Sequence, residues 1–313
     1  MWRRLTQWTC QSRLEPPTRS SVTFKLGVLV IHGMGDQRAD FADPMIRELS
    51  AQIDQRGGDA PRICWEPVFW ADVLEGRETA LLRELSAGGD LDHADLRHFI
   101  VHSLGDAIAY QQVPRARQQV NVYREIHRRV DESLKRLRRR TREGKPKRAP
   151  DVPLVILAHS LGGHIISNYI WDVQSAVRKE RKGSPRSPLE RMETLATIVT
   201  FGCNIALFTL AYNELKPIAF PPRGLRKHFP PGTRRVAITA AARWINFYDP
   251  DDVLAYPLRP LSTRYSRTVS ADVPINVGSP LTSWNPMSHL QYWTDNDITK
   301  PVAELIHGVL ALL

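Results

Sequence analysis

A chain of 313 residues with 42% apolar and 24% charged content has room for one large α/β domain or two small ones, and its composition is ordinary for a folded soluble protein. No apolar run reaches about 18 residues, so no membrane-spanning helix is expected. The three cysteines, Cys10, Cys64 and Cys203, are an odd, widely spaced set without CxxC pairing, which argues against a structural zinc and for a reducing, cytoplasmic compartment.

The net charge of +10 is concentrated in one place, since Arg124 to Arg148 carries twelve Lys or Arg against four acids. The plain reading is a solvated helix face followed by a basic loop at Gly144 to Ala149. The sharper one is contact with an anionic membrane surface, because Leu134 and Leu137 interleave with the arginines as in an interfacial helix. Nucleic acid ranks behind both as a partner, as no aromatic residues are interleaved for base stacking.

Taken in order, residues 1–20 read as a mobile arm, broken by Pro16 and Pro17 and lacking the apolar stretch of a secretory signal. Residues 21–313 read as a single domain. Leu26 to Ile31 is a strand ending in the glycine turn His32-Gly33-Met34-Gly35, and such a turn points unpaired N–H groups in one direction, as a developing oxyanion requires. The phosphate-binding patterns GxGxxG and GxxxxGK[ST] are absent. Pro44 to Ile53 reads as a helix, and Arg62 to Trp70 as a strand interrupted by Pro67.

From about 72 to 148 the pattern is helical, broken near Gly88-Gly89 and Pro114, and forms a long insertion between two parallel strands. Within it, Leu91 to Tyr110 places Leu96, Phe99, Ile100, Leu104 and Ile108 on one face. Ser103, in a first His-Ser-Leu-Gly tetrapeptide, is preceded two residues earlier by the branched Val101 and reads as structural.

The second His-Ser-Leu-Gly differs. Leu154 to Leu157 is an unbroken apolar run, suited to a strand buried on both faces, and Ile165, Ile166, Tyr169 and Ile170 return at helical spacing. Ser160 sits at the bend between them, with the small Ala158 and Gly162 two residues to either side, as a nucleophile elbow requires.

Leu195 to Phe201 is the next strand. The segment from about 203 to 235 begins apolar and turns Pro-rich and basic, and reads either as a lid over the site or as ordinary core packing followed by a surface loop. A strand from Val236 to Tyr248 leads into Asp249-Pro-Asp251-Asp252, where any of three aspartates can supply a carboxylate. Val273 to Val277 is the last strand, His289 lies in a loop, and Val302 to Leu313 is a closing amphipathic helix.

Serine hydrolysis needs a base in reach of the hydroxyl, a carboxylate to orient it, and donors for the oxyanion. The order glycine turn, Ser160, acid loop, His289 resembles the α/β-hydrolase superfamily of esterases and lipases. The resemblance implies a mostly parallel central sheet flanked by helices, with the long helical insertion added and a reduced N-terminal strand set, because little chain precedes Leu26. It implies Ser160 as nucleophile, His289 as general base, and the Leu161 and Met34 N–H groups as oxyanion donors. Tyr248-Asp-Pro-x-Asp-x-x-Ala-Tyr256 looks like the acid loop of some intracellular phospholipase-like hydrolases, which places the acid at Asp252 rather than Asp251.

His32 and His159 are then supporting groups around the turn and the serine. His164 lies in the helix after the elbow, and His93, His98, His102, His127, His228 and His307 read as helix or loop surface residues. The implied activity is hydrolysis of an acyl or lipid ester without metal or organic cofactor. Acyl transfer, thioester hydrolysis, or an inactive member acting as a membrane-surface module are the alternatives.

Overall fold

The computed structural model describes residues 22–35, 37–89, 92–110, 122–179, 186–211, 213–228, 233–278, 289 and 291–313. The expected N-terminal arm lies outside them.

The first strand, β1 (Leu26–Ile31), is buried at every position and leads through the glycine turn to α1 (Asp43–Gln55). Next comes β2 (Ile63–Val68), which contains Pro67. Proline cannot donate to a ladder, and it is tolerated because β2 is an edge strand. Among the described residues, three α-helices then precede the next strand: α2 (Glu75–Gly88), α3 (Ala94–Ala109) and α4 (Val122–Arg142). The central strand β3 (Leu154–His159) runs into α5 (Leu161–Lys179), and β4 (Leu195–Phe201) is followed by the single-turn α6 (Ile205–Phe208).

The stretch expected as one strand from Val236 instead begins as a helix, α7 (Thr233–Ala241), and only Arg243–Tyr248 forms β5. The reason is local, since Ala237-Ile-Thr-Ala-Ala-Ala242 is rich in the strongest helix former. After α8 (Thr263–Thr268), β6 spans Ala271–Pro274, shifted from the expected Val273 to Val277. The last helix, α9 (Asn296–Ala311), starts before Pro301 because Asp295 caps it, accepting from the Asp297 N–H.

All six strands are parallel, in the order β2-β1-β3-β4-β5-β6. Alternation along the strands divides the core into two layers. Leu29, Ile31 and Ile156 pack with residues of α4 and α5, whereas Leu26, Val28, Val30, Val155 and Leu157 pack with residues of α1 and α9. The sheet is therefore covered on both faces, which is what unbroken apolar strands require.

Leu134 and Leu137, whose interleaving with arginines suggested lipid contact, are fully buried in the layer with α5. Four of the arginines around them have partners within the chain. Arg136 Nε donates to Glu66 at 2.7 Å, Arg140 to Glu66 and to the Trp65 carbonyl, Arg129 to Asp72, and Arg138 to Asp151.

In α3 the apolar stripe faces outward. Ile100, Leu104 and Ile108 are exposed, while His102, Ser103 and Asp106 are buried; the side chains of Leu96 and Phe99 lie outside those described. Periodicity finds a stripe but does not say which side of the helix the rest of the chain needs, and here the polar side makes the inward contacts. No helix among the described residues is long and apolar enough to cross a membrane.

Candidate active site

Ser160 occupies a strained position between β3 and α5. Its φ is +52°, a left-handed conformation that non-glycine residues rarely hold, and its N–H donates to the Phe201 carbonyl at 3.0 Å. The small neighbours are needed because the β1 turn passes immediately beside it. A Cβ added to Gly162 would lie 2.5 Å from the His32 carbonyl oxygen, and one added to Gly33 would lie 2.5 Å from Ser160 Cβ. Gly162→Ala is therefore expected to cost roughly 1–3 kcal/mol in chemical denaturation, as overpacking of a rigid site does. An unchanged midpoint would show that the turn can yield.

Three residues distant in sequence converge here. Ser160 Oγ donates to His289 Nε2 at 2.7 Å, and His289 Nδ1–H donates to Asp252 Oδ2 at 2.7 Å. All three are buried. Asp252 also accepts from the Tyr292 hydroxyl at 3.0 Å and, through Oδ1, from the Leu254 N–H at 3.0 Å, so both carboxylate oxygens are held. Asp251 is exposed and lends its N–H to Asp249 Oδ1. Asp249 is buried but accepts from the Val277 N–H, which makes it a brace for the loop.

Tyr292 went unnoticed in the sequence. Its hydroxyl accepts from the Asp249 N–H at 3.0 Å while donating to Asp252, and burial with the nearby Asp252 charge raises its pKa, keeping it a donor. Its only sequence signal is a position three residues after His289.

The turn at His32 to Gly35 lies against Ser160, and Met34 and Leu161 are both buried beside it. Leu161 is the first residue of α5, where a helix leaves N–H groups without intrahelical partners. His32 braces the turn. Its Nδ1–H donates to the Gly33 carbonyl at 2.7 Å, its Nε2 accepts from the Trp70 N–H at 3.1 Å, and Trp70 Nε1–H returns a bond to the His32 carbonyl. The rings stack at 4.7 Å.

His159 lies against the other side. Its Nε2–H donates to the His289 carbonyl at 2.9 Å, and its ring sits among Phe201, Tyr292 and Trp293.

Of the histidines expected at the surface, His102 is buried against Glu78, and His127 is bonded to the Tyr110 hydroxyl at 2.7 Å. His102 faces inward because α3 turns its polar side to the core, whereas α4 turns its apolar side inward and His127 lies at the margin of that side, against the Tyr123 ring. His164 accepts from Asn168, stacks on Phe208 at 4.0 Å and lines a cavity of about 430 Å³. Trp171, Phe208, Lys216 and Tyr265 also line it. The segment expected as a lid lies along α5, where Gln174 and Ala219 exchange two hydrogen bonds.

Burial pushes the pKa of His32 down to about 3 and that of His164 down to about 3, and lowers those of His127 and His159 as well. The folded chain holds these rings neutral, whereas the unfolded chain takes up protons below about pH 6.5. Their contribution to stability is complete above that pH and is lost as the pH falls towards 3. The urea midpoint should therefore drop between pH 7.5 and pH 5, and less steeply in His164→Gln; an equally steep drop in that variant would exclude His164 as a contributor.

No protein-family model and no curated protein matches this chain. Among solved structures, the chain is similar to an alpha/beta-superfamily protein from Xanthomonas campestris pv. campestris described as a candidate hydrolase. The identity is 13%, the match covers 90% of this chain and 97% of that one, and the TM-score is 0.38. It is also similar to a chain from the work on LipS and LipT, two metagenome-derived lipolytic enzymes, at 13% identity, 82% and 85% coverage and a TM-score of 0.33. The parallel six-stranded sheet between two helical layers, with Ser160 at the β3–α5 bend, Asp252 after β5 and His289 after β6, is an α/β-hydrolase-like fold.

Proposed function

We propose that the protein is a serine hydrolase that cleaves a carboxylic ester through an acyl-enzyme on Ser160. What supports this above all is the buried relay from Ser160 Oγ through His289 to Asp252, with two hydrogen bonds of 2.7 Å. In the first half-reaction Ser160 Oγ attacks the ester carbonyl carbon and its proton passes to His289 Nε2. The imidazolium is stabilised by Asp252, whose carboxylate is held in place by Tyr292 and Leu254. The oxyanion accepts from the Leu161 and Met34 N–H groups. Collapse breaks the ester C–O bond, and His289 returns its proton to the departing alcohol. Water repeats the sequence, releasing the acid and restoring Ser160.

The substrate we favour is an acyl ester. A cavity lined by His164, one helical turn beyond Ser160, has aromatic walls at Trp171, Phe208 and Tyr265 against which an alkyl chain can pack.

The test is labelling of the folded protein by a fluorescent fluorophosphonate, followed by turnover of p-nitrophenyl esters of graded chain length. Labelling together with a chain-length optimum is the expected result. A protein that is folded by circular dichroism yet neither labels nor hydrolyses any member of the series is not an ester hydrolase.

A further inference from the structure

The glycine turn beside Ser160 is gripped from outside the sheet. Gly35 has φ +95°, and its N–H donates to Asp106 Oδ2 at 2.9 Å, a bond between residues 71 apart in the chain. Asp106 lies on the inner side of α3 and is 3% exposed. Beside it on α2 stands Glu78, also buried, whose Oε2 meets His102 Nδ1 at 2.8 Å. Burial first, and then the charge of Glu78, hold the Asp106 carboxyl well above the ordinary carboxylate range, while the Gly35 N–H opposes that shift.

A helix that only covered the sheet would turn its apolar stripe inward. In α3 the reverse holds, with Ile100, Leu104 and Ile108 facing out and Asp106 and His102 facing in. Burying a carboxyl is costly unless it is hydrogen-bonded, so the inward face is matched to what it meets, which is the backbone of the turn. On the hydrolase reading, on which this rests, that turn carries the Met34 N–H. We infer that Asp106 is a positioning residue: by accepting the Gly35 N–H it fixes the backbone next to Met34, so that the inserted helices α2 and α3 take part in forming the oxyanion site.

The test uses the full chain with Asp106→Leu, which removes the acceptor, and Asp106→Asn, which keeps one. With a p-nitrophenyl ester, Asp106→Leu should lower kcat about tenfold to a hundredfold with KM within about twofold, somewhat less than loss of an oxyanion donor itself. Fluorophosphonate labelling should slow by a similar factor, and the Gly35 amide should exchange at least about tenfold faster with solvent. Asp106→Asn should restore most of each quantity. Should the leucine variant not fold, Asp106→Ser, too short to reach Gly35, is expected to show the same losses.

Wild-type kcat and labelling in a folded Leu or Ser variant would overturn the inference, and so would equal losses in the Asn and Leu variants. If the wild type labels at Ser160 and only the variants fail to differ, this inference falls by itself. If the wild type neither labels nor turns over ester, the hydrolase reading falls and takes this inference with it.

Discussion

Ser160→Ala is expected to abolish fluorophosphonate labelling and to lower kcat by a factor on the order of 10⁵ to 10⁶, whereas Ser103→Ala labels like the wild type. The two serines share the tetrapeptide His-Ser-Leu-Gly but not its setting. Ser103 is an interior residue of α3, and Ser160 is at φ +52° between a strand and a helix with His289 Nε2 at 2.7 Å. Because the proposed nucleophile and base work as one unit, the double variant Ser160→Ala/His289→Ala should lose no more than the worse single variant. Additive losses would mean that the two side chains serve separate steps. Thermal melts should show both single variants folded, since Ser160 contributes no packing that alanine lacks.

The second large effect is expected at the acid. Asp252→Asn should cost about 10⁴ in kcat, near 5 kcal/mol of barrier, with little change in KM, while Asp251→Asn stays within about threefold of the wild type. An amide at position 252 could offer its NH₂ to His289, reversing the imidazole tautomer so that Nε2 can no longer accept the Ser160 proton. Asp251 makes no such contact and is exposed. Steady-state kinetics on the two variants decides the matter, and a larger loss in Asp251→Asn would move the acid one position back.

Much of the fold could be read where the signal is local. The runs at Leu26–Ile31, Leu154–His159 and Leu195–Phe201 are apolar because both faces of their strands are covered, and the sharp bend at Ser160 demands the small neighbours seen in the sequence. The order of an elbow serine, an aspartate-rich loop and a late histidine along the chain was enough to choose Ser160, His289 and the loop that meets them. Choosing among the aspartates needed the resemblance to known acid loops, because spacing alone left Asp249 and Asp251 open.

The unread parts depend on contacts between distant segments. The Asp106 bond to Gly35 and the Tyr292 bond to Asp252 link residues 71 and 40 positions apart, and nothing in either neighbourhood marks them. The alanine-rich start of the stretch from Val236 is a different failure, in which apolar residues ahead of a true strand hid a helix end at Ala241.

The arginines of α4 also bear on how molecules of this protein meet one another. The outer border of β2 is a row of backbone groups that a strand from a second molecule could extend, which is a common route to aggregation. Arg140 occupies the Trp65 carbonyl at 2.8 Å, Arg136 and Arg140 clasp Glu66 next to it, and Pro67 has no N–H to offer. A dense run of positive charge thus serves as an edge guard, keeping a sheet that is open at this border from being continued by its neighbour.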